Sequence, residues 1–359
     1  MSVRRARIVV VTVAALGTLA FLSGCSAAAP ASTPTRTPVV TSPTATPAVA
    51  AAPTVRVPTT CDQLVPTEVV AGAFRIAVQP VEFEASRVPA AYADARAGVL
   101  TCAWSSVPAD RIASDRALYG WVTVVPGATR ADVDVELSGS MFGGSLPVAG
   151  LSETVESCSE SGYQWCGFVS YPGDYAVIGG VWDYGDPTYE SQSKTIAALA
   201  TSSVPVVRAL AAPAPLWQPR GASLSGAADC DAMLTGDQIQ SATGLTGIHV
   251  VKADGGENAL STLRTNARVG SYSCTWIADQ DGSVSASVLP GGATYATSTR
   301  PADAVDVSGL GDSAFRSGDT LDVIAAGGWV QVTFTGAAVN PDVLLQLAKH
   351  ELANVGYPG

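Results

Sequence analysis

Three of the first seven residues are arginine, and the 15 that follow, Ile8 to Leu22, are uncharged and mostly apolar. A membrane-spanning helix needs about 20 such residues. A basic start followed by a short apolar run therefore predicts an export signal over residues 1–24. From 25 to 58 the pattern loses all period. Ser, Thr, Pro, Ala and Val dominate, seven prolines recur, and Arg36 and Arg56 are the only charges. Such a stretch cannot bury a core and prefers extended polyproline II. At about 3.1 Å per residue it forms a tether reaching roughly 100 Å.

Regular periods begin beyond the tether. Late apolar strands are predicted at Tyr175–Trp182 and Trp329–Phe334, and Asp281-Gly282 between two alternating runs predicts a hairpin. Asp186-Pro187 and Asn340-Pro341 each predict the opening of a helix, because Asp or Asn caps free amides and proline at N1 has none to lose. After Asn340 the positions Leu344, Leu347, Ala348 and Leu352 share one helical face, and Gly356 suits the stop. Thr235-Gly236-Asp237-Gln238 reads as a capping box, with Gly244 ending its helix.

These landmarks occur twice. Cys61-Asp62-Gln63-Leu64 leads to Cys102-Ala103-Trp104, and Cys230-Asp231-Ala232-Met233-Leu234 leads to Cys274-Thr275-Trp276. Each C-x-W precedes a strand ending in Pro126-Gly127 or Pro290-Gly291, then Gly150-Leu151 or Gly309-Leu310, then the apolar strand and closing helix. The expected architecture is α+β: two copies of one module, each an antiparallel or mixed sheet with an N-terminal and a C-terminal helix covering one face. The ranges are 59–212 and 227–359, joined by a Pro/Gly-rich linker over 213–226.

The chain has seven cysteines and two histidines among its 359 residues. Cys25 ends Leu22-Ser23-Gly24-Cys25, which resembles the bacterial lipobox; the resemblance implies cleavage before Cys25 and a diacylglycerol on its thiol. The tether of 25–58 then starts at the acylated residue. Six cysteines remain, an even number suited to an oxidising compartment. The repeat predicts Cys61–Cys102 and Cys230–Cys274, each stapling a helix opened by the first cysteine to a strand holding the second. Cys158 and Cys166 occur in the first copy alone and are expected to close a hairpin on each other.

With its lipobox-like cysteine, Thr/Pro tether and tandem C…C-x-W…G-L modules, the chain resembles small secreted lipoproteins of unknown function from actinomycete cell envelopes. It is also similar to extracellular sensor modules of receptor kinases from those bacteria. The resemblance rests on Cys61, Cys102, Trp104 and Gly150-Leu151 in one copy and on Cys230, Cys274, Trp276 and Gly309-Leu310-Gly311-Asp312 in the other. The first copy departs from it at Ser152-Glu153 and in its extra cysteine pair. The resemblance implies a lipid-anchored location on the extracellular side of the cell membrane, and it brings no catalytic residue with it.

Charge narrows the partners. Without residues 1–24 the chain has 17 basic against 31 acidic residues, so polyphosphate would be repelled and nucleic acid is not an expected partner. Scarce histidine and the lack of close cysteine pairs argue against a zinc site, and no cofactor is expected. There is no G-x-S-x-G and no H-E-x-x-H. Ser191-Gln192-Ser193-Lys194 fits S-x-x-K, but S-D-N and K-T-G partners do not follow it, so an exposed helix face is the reading. Asp279-Gln280-Asp281-Gly282 opens like a calcium loop and lacks the distal glutamate. One feature exceeds background: eight of 24 aromatics lie between Tyr163 and Tyr189. Strand packing accounts for many of them, and a stacking surface is the functional alternative. The candidate ligand-binding residues are Tyr163, Trp165, Tyr175, Trp182, Asp183, Tyr184 and Asp186. The expectation is a non-catalytic binding or sensing protein whose partner is an envelope glycan, a small apolar ligand or an envelope protein; the alternative is an envelope hydrolase acting on cell-wall material.

Overall fold

The computed structural model describes residues 52–82, 85–130, 146–159, 164–185, 187–221, 223–253, 260–279, 281–336 and 340–357. Cys25, Tyr163 and Asp186, and with them the anchor and two of the candidate ligand residues, lie outside the described residues.

The first module runs α1 (Cys61–Leu64), α2 (Thr67–Phe74), β1 (Gln79–Val81), α3 (Ala93–Ala97), β2 (Leu100–Ser105), α4 (Ile112–Asp115), β3 (Tyr119–Pro126), β4 (Leu146–Val148), β5 (Leu151–Cys158), β6 (Trp165–Ser170), β7 (Tyr175–Trp182) and α5 (Tyr189–Arg208). The second runs α6 (Gly236–Thr243), β8 (His249–Ala253), α7 (Leu260–Val269), β9 (Tyr272–Ile277), β10 (Gly282–Leu289), α8 (Ala293–Ser298), β11 (Val305–Val307), β12 (Ser313–Ser317), β13 (Thr320–Ala325), β14 (Gly328–Gly336) and α9 (Pro341–Asn354).

The fold is α+β, with two seven-stranded antiparallel sheets. Their orders are β1-β2-β3-β7-β6-β5-β4 and β8-β9-β10-β14-β13-β12-β11, the same path traced twice. The duplication read from the cysteines therefore extends to the strand order. The three disulfides are Cys61–Cys102, Cys158–Cys166 and Cys230–Cys274.

Period-two alternation divides each strand between two packed faces. In the first module Cys102, Trp104, Val122, Val124, Phe168, Tyr175, Val177 and Val181 join Leu64, Val70, Phe74, Ile196 and Leu199 from the helices in one buried cluster. Val125, Trp165, Val169, Ala176 and Ile178 face the other way, into a cluster completed by Ala93 and Ala97 of α3 and by Val269 and Leu289 of the second module. The two modules thus share a hydrophobic core.

The closing helices form much as their sequences dictate. Asn340 caps α9 by accepting from Asp342 N at 3.0 Å, and Leu344, Leu347, Ala348 and Leu352 are all buried. In α5 the cap lies two residues later than expected. Thr188, not Asp186, accepts from the Ser191 amide, and the Ser191 hydroxyl accepts from Thr188 N. A hydroxyl capping box outcompeted the Asp-Pro signal. Cys61 opens α1 as expected, but Cys230 opens a single turn closed by Leu234 N to Cys230 O, and α6 begins only at Gly236. The helices α3 and α7, which connect the first two strands of each sheet, were not expected from the sequence. Each is followed by a left-handed glycine, Gly98 at φ 73° or Gly270 at φ 68°, four residues before the strand cysteine.

The Pro/Gly-rich linker lies against the first module. Trp217 O accepts from Arg96 Nη1 at 2.6 Å, and Ala214 O accepts from Arg56 Nε at the end of the tether at 2.7 Å; just before the linker, Ala211 O accepts from Tyr175 Oη at 2.7 Å.

Candidate functional site: an aromatic face on the first sheet

Cross-strand partners lie on the same face of a sheet. Tyr119 on β3 is opposite Trp182 on β7, which is opposite Trp165 on β6, so three aromatic residues form one row across three strands. The next row is Trp121, Gly180 and Gly167. A Cβ on Gly180 would lie 2.4 Å from the Trp121 ring, and one on Gly167 would lie 2.8 Å from the Trp165 ring. The two glycines clear the pleat so that two indoles can lie across it. Gly179 does the same on the opposite face, where its missing Cβ makes room for Phe168.

Tyr119, Trp121, Trp182 and Tyr184 are half-buried, whereas Trp165 is only 6% exposed. Tyr119 and Trp121 have ring centroids 5.7 Å apart, and Trp182 and Tyr184 are 5.6 Å apart. The Arg116 guanidinium lies 5.5 Å from the Tyr184 ring centre, within cation–π range. Arg116 takes a left-handed φ of 50° at the end of α4, and this turn aims the chain into β3. Burial, with the Tyr184 hydroxyl nearby as a smaller cause, raises the Tyr119 phenol above its usual pKa. The Trp182 indole N–H is buried and has no acceptor among the described residues. Asp183 accepts from Gly185 N at 2.8 Å, which fixes its carboxylate beside the row.

The structure separates the candidates named from sequence. Trp165, Trp182, Asp183 and Tyr184 lie in or beside the row. Tyr175 does not: it is 1% exposed, belongs to the cluster shared with α1, α2 and α5, and donates its hydroxyl to Ala211 O just before the linker. Tyr119 and Trp121 were missed, because β3 lies far from β7 in sequence and meets it only through non-local pairing. The paired glycines Gly179-Gly180 inside an apolar strand were the available signal.

The second module has a different surface at the equivalent positions. Thr275, Ser285, Thr333 and Thr320 form one row across four strands, and Ser283 is opposite Thr335 in the next. Thr275–Ser285 and Thr320–Thr333 are hydrogen-bonded at 3.0 and 2.9 Å. Aromatic rings on one sheet are replaced by hydroxyls on its duplicate.

Elsewhere, Ser191 is engaged in the α5 cap, and Lys194 pairs with Glu190 at 2.6 Å on the exposed side of that helix. Among the described residues no group of three or more His, Cys, Asp or Glu side chains is placed to hold a metal ion. No protein-family model, curated protein or solved structure matches the chain.

Proposed function

We propose that the chain is a lipid-anchored cell-envelope protein that binds an envelope glycan through the aromatic face of its first module and performs no chemistry on it. In this reading Cys25 carries the anchor, the Thr/Pro tether sets the height above the membrane, and each sheet is covered on one face by its first and last helices. Helix and sheet residues sharing a single buried cluster in each module support that cover.

The observation behind the ligand class is the row Tyr119–Trp182–Trp165 with Trp121 laid over Gly180. Aromatic rings with a hydrophobic body and polar rim suit the mixed C–H and hydroxyl surface of a sugar. The Tyr184 hydroxyl and Asp183 carboxylate supply the polar contacts. The test is retention of soluble cell-wall glycan fragments by the tethered body and by a Trp121→Ala/Trp182→Ala variant. Loss of retention with an unchanged far-UV spectrum supports the reading. Equal retention by both proteins, or capture of hydrophobic ligands or envelope proteins in place of glycan, overturns it.

A further inference from the structure

Two of the three disulfides are copies of one another. Cys61–Cys102 and Cys230–Cys274 close 41 and 44 residues and tie the start of each module to its second strand. Cys158–Cys166 closes only eight residues. It joins neighbouring strands at directly opposed positions, β5 against β6. One residue further, Ser159 N donates to Trp165 O at 2.8 Å, so the cysteines occupy a non-hydrogen-bonded pair of the ladder. Ladder geometry sets such a pair about 4.5 Å apart between Cα atoms, whereas a disulfide usually spans about 5.5–6 Å. The ladder spacing lies at the short end of the range of about 4.4–6.8 Å that disulfides span.

The strand pair has ties besides the bridge. The second module pairs the equivalent strands β12 and β13 without a disulfide, with Ser317 opposite Thr320 and Arg316 opposite Leu321, and turns at the positions that match the two cysteines. In the first module β5 is also held by Thr154 to Ser170 at 2.9 Å and by Glu156, which accepts from Tyr189 and Ser193 at 2.6 and 2.7 Å. Access to the two sulfurs is unequal: Cys158 is half-buried and Cys166 fully buried.

We infer that Cys158–Cys166 is a thiol-exchange site that a dithiol reductant opens while the fold stays intact. The attacking thiolate reaches Cys158 Sγ, forms a mixed disulfide there, and expels Cys166 as thiolate, which takes a proton. The second thiol of the reductant then attacks the reductant's own sulfur in the mixed disulfide and releases Cys158. Two electrons and two protons pass to the cysteine pair, and the reductant leaves as its disulfide.

The test titrates the wild-type chain with dithiothreitol and reads each pair by differential alkylation and mass spectrometry. Cys158–Cys166 is expected to open at a reductant concentration at least tenfold below that for the other two bridges, with far-UV dichroism unchanged. A thioredoxin-type exchange protein lacking its resolving cysteine should be trapped on Cys158. A Cys158→Ser/Cys166→Ser variant should fold and melt within a few degrees of wild type. The inference fails if all three bridges open together or this one opens last, if the trap maps to Cys61, or if opening the bridge or making the double variant unfolds the protein.

Discussion

Arg96 and Arg268 each reach into the other module and donate to the proline carbonyl of its Pro-Gly turn. Arg96 Nε meets Pro290 O at 3.2 Å, and Arg268 Nη1 meets Pro126 O at 2.8 Å. Both arginines stand six residues ahead of the strand cysteine of their own module. The contact is therefore reciprocal, as in a symmetric dimer, but within one chain. A duplicated module whose helices α3 and α7 pack on each other has become a single unit through that exchange.

Arg96 is the more buried of the two. It is 2% exposed, lies 4.6 Å from the Trp217 ring centre and donates to Trp217 O. Burial lowers its guanidinium pKa from the usual value. Arg96→Ala is expected to cost about 3 kcal/mol, since hydrogen bonds from a charged group are worth about 1.5–3 kcal/mol each. Arg96→Lys should recover little, because an ammonium cannot serve two carbonyls in the guanidinium plane. Urea unfolding of the two variants measures both effects.

Arg87 is the second tie between modules. It pairs with the buried Asp322 at 2.5 Å and donates Nε to Thr299 O at 2.8 Å. Asp322 also accepts from Trp329 and Gln331, each at 2.8 Å. Removing one partner of a buried pair usually costs about 3–5 kcal/mol. The two remaining donors should hold Arg87→Met near the low end of that range. The double variant Arg87→Met/Asp322→Asn should be more stable than Arg87→Met alone, and a double-mutant cycle reads the coupling.

The parts legible in the sequence are those set by local rules. Caps and stops at Thr235, Asn340, Gly244 and Gly356 depend on a few neighbouring residues, and the cysteine spacings carried the duplication. The aromatic row was only half legible. The parity of β7 separates Tyr175 from Trp182 in any reading. Which parity faces the helices could not be read, because Ala176, Val177, Ile178 and Val181 make both faces apolar. A strand buried on both sides loses the polar alternation that would mark its solvent face. The module contact was illegible for a related reason: Arg96 and Arg268 look like ordinary surface cations until α3 and α7 are paired.

Glu351 gives a prediction about pH. Thr188 and Asn340 cap α5 and α9, and eleven residues on from each stand Leu199 and Glu351, both fully buried. Neither Glu351 carboxyl oxygen has a hydrogen-bond partner among the described residues. Burial raises its pKa well above the carboxylate range. The native state therefore keeps a proton that the unfolded chain releases above about pH 4.3. Stability should fall as pH rises from there toward the raised native value. Glu351→Leu should remove that slope and add about 1–3 kcal/mol at neutral pH. Urea midpoints at several pH values, for wild type and variant, test both statements.

Gly180 provides the sharpest test of how the aromatic face is built. Its neighbours across the ladder are Trp121 and Gly167, and the Trp121 ring occupies the space a Cβ would take. Gly180→Ala must displace that indole, since the alternative is to move the strand carrying it. Overpacking of this kind costs about 1–3 kcal/mol. Gly179→Ala should cost at least as much, because its Cβ would meet Phe168 in the helix-side core at 2.3 Å. The two variants should differ in what else they change. Gly179→Ala strains the core and leaves the aromatic row in register. Gly180→Ala lifts Trp121 from the sheet and should weaken glycan retention by tenfold or more at a similar loss of stability. Unfolding curves and glycan retention measured side by side on the two variants separate these effects. Equal retention would mean that the position of Trp121 does not matter to binding.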